Sequence, residues 1–107
     1  MSDAEDPTPP DTAPQIEVRD APEASRYELY RDGALAGRAD YELAPGVIVF
    51  THTVVDPAFE GQGLASALVR AALDDVRRRG RGAVVPQCSF VRGYLDRHPA
   101  EADVVER

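Results

Sequence analysis

A short loop with two glycines joins the most β-prone run of the chain to its most regular helical pattern, and this junction limits the folds available. Val47-Ile48-Val49-Phe50-Thr51-His52-Thr53-Val54-Val55 is rich in β-branched residues and predicts a strand. Asp56-Pro57 ends it, since proline lacks a donor and restricts the residue before it. Glu60-Gly61-Gln62-Gly63 then leads into a helix predicted over Gly63 to Arg79. Leu64, Leu68, Val69, Ala72, Leu73 and Val76 recur at spacings of three and four, with Arg70, Asp74, Asp75, Arg77 and Arg78 on the other side. Asp74 with Arg78 and Asp75 with Arg79 are expected as i,i+4 ion pairs. Gly80 and Gly82 stop the helix.

The flanks fix the class. Arg26 to Arg31 runs into Asp32-Gly33, a dipeptide suited to a type I′ hairpin, and Ala34 to Leu43 continues beyond it. Pro45-Gly46 makes a second turn, and the nearly unbroken apolar start at Val47 suggests a central strand covered on both faces. Along Val47 to Val55, alternation puts His52 on one face with Phe50 and Val54. Ala83 to Pro86 reads as a short strand and Ser89 to Arg97 as a short helix closing before Pro99. Antiparallel strands followed by helix, strand and helix give an α/β (α+β) fold, and 107 residues suffice for one domain.

Composition narrows the partners. Residues 1–14 hold four acids (Asp3, Glu5, Asp6, Asp11), four prolines and no base, the mark of a disordered acidic arm ahead of a domain over 15–107. Of the net charge of −7, this leaves −3 on the domain. It lacks the basic face that a nucleic-acid backbone requires. No apolar run approaches a membrane span and no leader pattern is present. The lone Cys88 has no disulfide partner, and no Cys/His grouping suggests a metal. A cytoplasmic protein, monomeric or weakly dimeric, is expected.

Chemistry concentrates at the junction. Where Gly61-Gln62-Gly63 opens the helix, free backbone N–H groups and the positive end of the helix dipole meet, which suits a phosphate. The loop carries neither a Walker-type Lys-Ser/Thr nor a three-glycine dinucleotide fingerprint. A tight turn with Gly63 chosen for packing explains the same residues.

Thr53 to Ala72 (T-V-V-D-P-A-F-E-G-Q-G-L-A-S-A-L-V-R-A-A) resembles the acetyl-CoA signature of the GNAT superfamily of N-acetyltransferases, with its R/Q-x-x-G-x-G/A loop. Glu60, Gly63 and Ala65 occupy the first, fourth and last positions, and Glu60 departs from the usual Arg or Gln. Together with F-T-H-T (Phe50 to Thr53) and V-P-Q-C-S-F-V-R-G-Y-L-D-R-H-P (Val85 to Pro99), the blocks look like the minimal YjdJ-like branch of that superfamily. The sequence departs from the branch at Val54, where a Glu is usual, and at His98-Pro99-Ala100-Glu101 in place of H-P-E-Y.

The resemblance implies a strongly twisted, mostly antiparallel sheet with a splayed centre, a CoA thioester as acetyl donor and an amine as acceptor. The acceptor is a small amine, a protein Lys or an N-terminus. Pyrophosphate is expected on the amides of Gly61, Gln62, Gly63, Leu64 and Ala65 with the Ser66 hydroxyl, and pantetheine along Val54 and Val55. His52 is the candidate base, because imidazole titrates near neutrality; it reads equally as a half-buried histidine bonded to a neighbour. Cys88 is a candidate acetyl carrier or lining residue, or a small buried hydrophobe. Tyr94 stands where the superfamily carries a tyrosine acid, and its other reading is an aromatic capping the core. A protein that binds acyl-CoA with little or no transfer is the competing function.

Overall fold

The computed structural model describes residues 15–105; the acidic arm lies outside them. Five strands form one sheet in chain order: β1 (Ile16–Ala21), β2 (Arg26–Arg31), β3 (Ala34–Ala44), β4 (Val47–Val55) and β5 (Ala83–Pro86). The first three pairings are antiparallel, and β5 lies parallel to β4. Helix α1 (Leu64–Arg79) makes the crossover between them and α2 (Ser89–Arg97) follows β5. The α/β class and the mostly antiparallel sheet are those expected.

The Asp32-Gly33 turn has φ of 51° and 86°, both positive as a type I′ hairpin needs. Asp56 accepts from the Ala58 amide at 2.9 Å, capping the 3-10 turn Pro57–Phe59 that ends β4. At the far end of α1, Gly82 approaches so closely that a Cβ there would lie 2.7 Å from the Gly46 carbonyl oxygen. The chain can therefore return beside the β3–β4 turn, where the Ala83 N–H donates to Gly46 O at 3.0 Å and sets the parallel register of β5.

Both helices cover the same face. Tyr27, Leu29, Tyr41, Ile48, Phe50 and Val84 from the sheet meet Leu68, Val69, Ala72, Leu73 and Val76 from α1 and Val91, Tyr94 and Leu95 from α2 in one core. The opposite face carries no helix among the described residues. Strand β4 is thus buried on one face only: Ile48 and Phe50 are sealed, whereas Val47 and Val49 are half-exposed. Its apolar start comes from lying between β3 and β5.

Four further readings are corrected. Strand β1 was not foreseen, because Ile16-Glu17-Val18-Arg19-Asp20-Ala21 is too polar to signal an edge strand by itself. Asp74 bonds Arg77 at 2.9 Å in place of Arg78, while Asp75 pairs with both Arg78 and Arg79. α1 starts at Leu64, with Gly63 outside the helix as its N-cap at φ 72°. The fourth concerns alternation in β4: Phe50 pairs with Tyr41 but His52 with Asp40, so Thr51 is an extra residue. This bulge switches the side-chain parity. His52 and Val54 consequently share the helix-free face, and Phe50 does not.

Candidate active site

The bulge coincides with a split in the sheet. β5 runs beside β4 only from Val47 to Phe50, opposite Ala83 to Pro86. One further bond, Cys88 N–H to Phe50 O at 2.9 Å, carries the chain past the strand end before α2 turns away. Beyond it, Thr51 to Val55 keep β3 on one side and have no strand on the other among the described residues. An open strand edge presents unpaired N–H and C=O groups that an extended ligand can complete.

At the far end of this edge lies the glycine loop. Gly61 and Gly63 have φ of 80° and 72°, the left-handed region, and a Cβ on either would meet nothing within 4 Å. The backbone is therefore bare toward solvent. The first helical bond is Ala67 N–H to Gly63 O at 3.2 Å, so the amides of Leu64, Ala65 and Ser66 precede the helical ladder without a partner among the described residues. No side chain caps this end, and its first turn holds no acid. The positive end of the α1 dipole is uncompensated. Val55, Phe59, Glu60, Leu64 and Phe90 wall a shallow groove of about 240 Å³ over the loop.

Cys88 sits where the split begins, buried at the N-cap of α2. Its Sγ lies 3.3 Å from Thr53 Oγ1. Burial alone raises a thiol pKa, but the Thr53 hydroxyl and the amides of Val91, Phe90 and Thr53 favour the charged form and hold Cys88 below its ordinary value. Thr53 was not singled out in the sequence; only the bulge turns its side chain toward the sulfur.

His52 is exposed on the helix-free face, with Nδ1 3.3 Å from Thr51 Oγ1. It faces Asp40 across the ladder and lines a wide recess of about 1090 Å³ with Arg26, Arg38, Glu42, Thr51 and Gln87. The half-buried reading of His52 is thereby corrected. Val54 is also exposed on that face, whereas Val55 packs at the core margin.

Tyr94 is held in the core. It is 2% exposed, its hydroxyl donates to Glu101 Oε2 at 2.7 Å, and its ring stacks on His98 at 4.2 Å. Burial first, then the Glu101 carboxylate, push its pKa up to about 12. These contacts are those of an aromatic capping the core, the second of the two readings of Tyr94.

An open strand edge, an uncapped glycine-led helix and a split between parallel strands arise here from one strand–loop–helix unit. The sequence model described as GCN5-related N-acetyl-transferase matches residues 26–104, which includes every one of these features. The chain belongs to the GCN5-related N-acetyltransferase family. As a member it is an acetyltransferase, whose family reaction draws on an acetyl thioester of CoA.

Solved structures agree on the fold of this acetyltransferase. A GCN5-like protein from Staphylococcus aureus superposes with a TM-score of 0.63 at 20% identity, over 84% of this chain and 87% of its own. The ribosomal-protein-S18-alanine N-acetyltransferase from Escherichia coli gives 0.57 at 19% identity, over 68% of this chain and 50% of its own. A ribosomal-protein-alanine N-acetyltransferase from Brucella melitensis biovar Abortus 2308 gives 0.50 at 19%, over 77% and 61%. The acetyltransferase thus spans about half to three-fifths of the two ribosomal-protein enzymes. No curated protein sequence matches it.

Proposed function

We propose that the protein is an acetyl-CoA-dependent N-acetyltransferase of the minimal YjdJ-like branch, transferring acetyl to an amine. The observation that carries the reading is the free edge of β4 running from the Cys88 split to the uncapped start of α1. The amides of Gly61 to Ala65 and the Ser66 hydroxyl would hold the pyrophosphate, with Gln62 contributing main chain only. The unpartnered backbone at Val54 and Val55 would take the pantetheine as an added strand. The open space over Gly61 and Gly63 fits such a group, since a Cβ would fill it. CoA supplies the activated acetyl as a thioester.

The residues of the chain do the rest. In this reading His52 takes the proton of the acceptor ammonium, leaving a neutral nitrogen. The nitrogen bonds to the carbonyl carbon, the carbon–sulfur bond breaks, and a proton returns to the departing sulfur. The Thr53 amide, which also faces Cys88, would polarise the carbonyl. With Tyr94 buried, the Cys88 thiol is the ionisable group at the split that can supply the proton.

A second reading is favoured by the depressed thiol of Cys88. The thiolate can accept the acetyl by thioester exchange and pass it to the amine. Calorimetric titration with CoA, followed by time-resolved mass spectrometry with acetyl-CoA and amine acceptors, tests both. Saturable binding and acceptor acetylation are expected. An acetyl increment on the Cys88 peptide that forms and decays at the turnover rate selects the carrier route. Binding without transfer would leave an acyl-CoA-binding protein, and absence of binding would remove both readings.

A further inference from the structure

Two depressions are lined in part by the same two segments, β4 and the stretch from Gln87 to Phe90. The groove over the glycine loop reaches Val55 and Phe90 on the helix side, and the wide recess reaches Thr51, His52 and Gln87 on the helix-free side. Both therefore border the split that separates β4 from the Gln87–Phe90 segment. If CoA occupies the first, the acceptor arrives through the second, so the charges of the recess decide which amines arrive.

Those charges are specific in arrangement. Arg38, Asp40 and Glu42 alternate on β3 and share the helix-free face with Arg26 and Glu28 of β2. Arg26 pairs with Glu28 at 2.7 Å, and Arg38 gives its Nε to Asp40 at 3.1 Å. Glu42 has no ion pair or hydrogen bond among the described residues and is exposed. The terminal nitrogens of Arg38 likewise have no partner there. The recess thus offers one unneutralised carboxylate for an ammonium, flanked by guanidinium donors that seek oxygen acceptors. It is also open on its outer side, unlike the enclosed pockets that bury small ligands.

We propose that the acceptor is a peptide-borne amine, its ammonium drawn into the recess by Glu42 before His52 takes its proton, and its neighbouring carbonyl or carboxylate oxygens received by Arg38 and Arg26. A polyamine is disfavoured, because the recess leaves one unpaired carboxylate for its several ammonium groups. This rests on the transferase reading and chooses among its acceptors.

The test uses the full chain, acetyl-CoA and three kinds of acceptor: single-amine peptides with Asp/Glu neighbours, the same peptides with Arg neighbours, and spermidine. Peptides with acidic neighbours should have the highest kcat/KM and spermidine the lowest. Glu42→Gln should raise acceptor KM by about fivefold, the scale of one exposed ion pair, with kcat and CoA affinity unchanged. Arg38→Gln should erase the preference for acidic neighbours. Spermidine turned over as well as the best peptide, or both variants keeping wild-type KM and preference, would overturn this inference alone. Failure to bind CoA would overturn the transferase reading and this one with it.

Discussion

The two ends of α1 are built on opposite principles. At its C-terminal end, Tyr27 donates to Asp75 and Tyr41 to Asp20, each at 2.6 Å. Arg79 and Arg81 both reach Asp20, at 2.6 and 2.9 Å, and the Arg81 guanidinium lies 5.1 Å from the centre of the Tyr41 ring. Three arginines in the last turn complement the helix dipole. At the N-terminal end, among the described residues, there is no side-chain cap, no acid in the first turn and no partner for the first amides. The contrast shows where binding capacity is retained: polar groups satisfied internally hold β1, β2, β3 and α1 together, and those left unsatisfied are available to a ligand.

The largest expected effect separates these ends at the open one. Gly63→Val puts a β-branched residue at φ 72°, a conformation that costs an L-residue about 1–2 kcal/mol. Its side chain also fills the space over the amides. CoA affinity should fall about 100-fold, or about 3 kcal/mol, while the fold survives with a lowered melting temperature. Titration calorimetry paired with thermal denaturation checks this, and a variant that binds within about threefold of wild type would refute the amide cradle.

Arg81→Ala acts at the closed end. Asp20 keeps Arg79 and Tyr41, so the loss is smaller than for an orphaned buried carboxylate, about 2 kcal/mol of stability. CoA affinity should stay within about twofold, because the sites share no partner. Chemical denaturation showing no destabilisation, or a CoA affinity that falls in step, would erase the distinction between the ends.

Much of this architecture is legible in the sequence because it is local. The hairpin at Asp32-Gly33, the extent of β4, the glycine loop and both helices follow from turn chemistry and periodicity carried by adjacent residues. What the sequence conceals is non-local. The bulge at Thr51 depends on how β4 registers against Tyr41 and Asp40 in β3, and nothing in F-T-H-T announces an extra residue. That single shift sends His52 to the recess and Thr53 to Cys88. The partner of Tyr94 is concealed for a similar reason: a helix position says which face a residue occupies, while its hydroxyl is bonded to Glu101, seven residues on, in the turn after Pro99. Glu42 gives no signal at all until the partners of its neighbours are known.

The smallest expected effect lies in the split itself. Thr53→Val keeps the shape of the side chain and removes the hydroxyl that favours the Cys88 thiolate. Burial, which raises the pKa, is then opposed only by backbone amides, so the thiol should titrate at higher pH than in wild type. Thiolate ultraviolet absorbance followed against pH reads this directly, with wild type expected below the ordinary thiol range near ~8.5. The sign carries into stability. A depressed folded-state pKa adds stability that is full above the unfolded thiol value and lost as pH falls through the lower folded one, so the variant should lose stability at alkaline pH and little at acidic pH. As proton donor Cys88 sets the alkaline limb of the pH–rate profile and as acetyl carrier the acid limb, and the limb it sets should move upward by the same interval as the titration. A rate profile that stays fixed while the titration moves would leave Cys88 a packing residue at the mouth of the split, and the proton to CoA would then have to come from solvent.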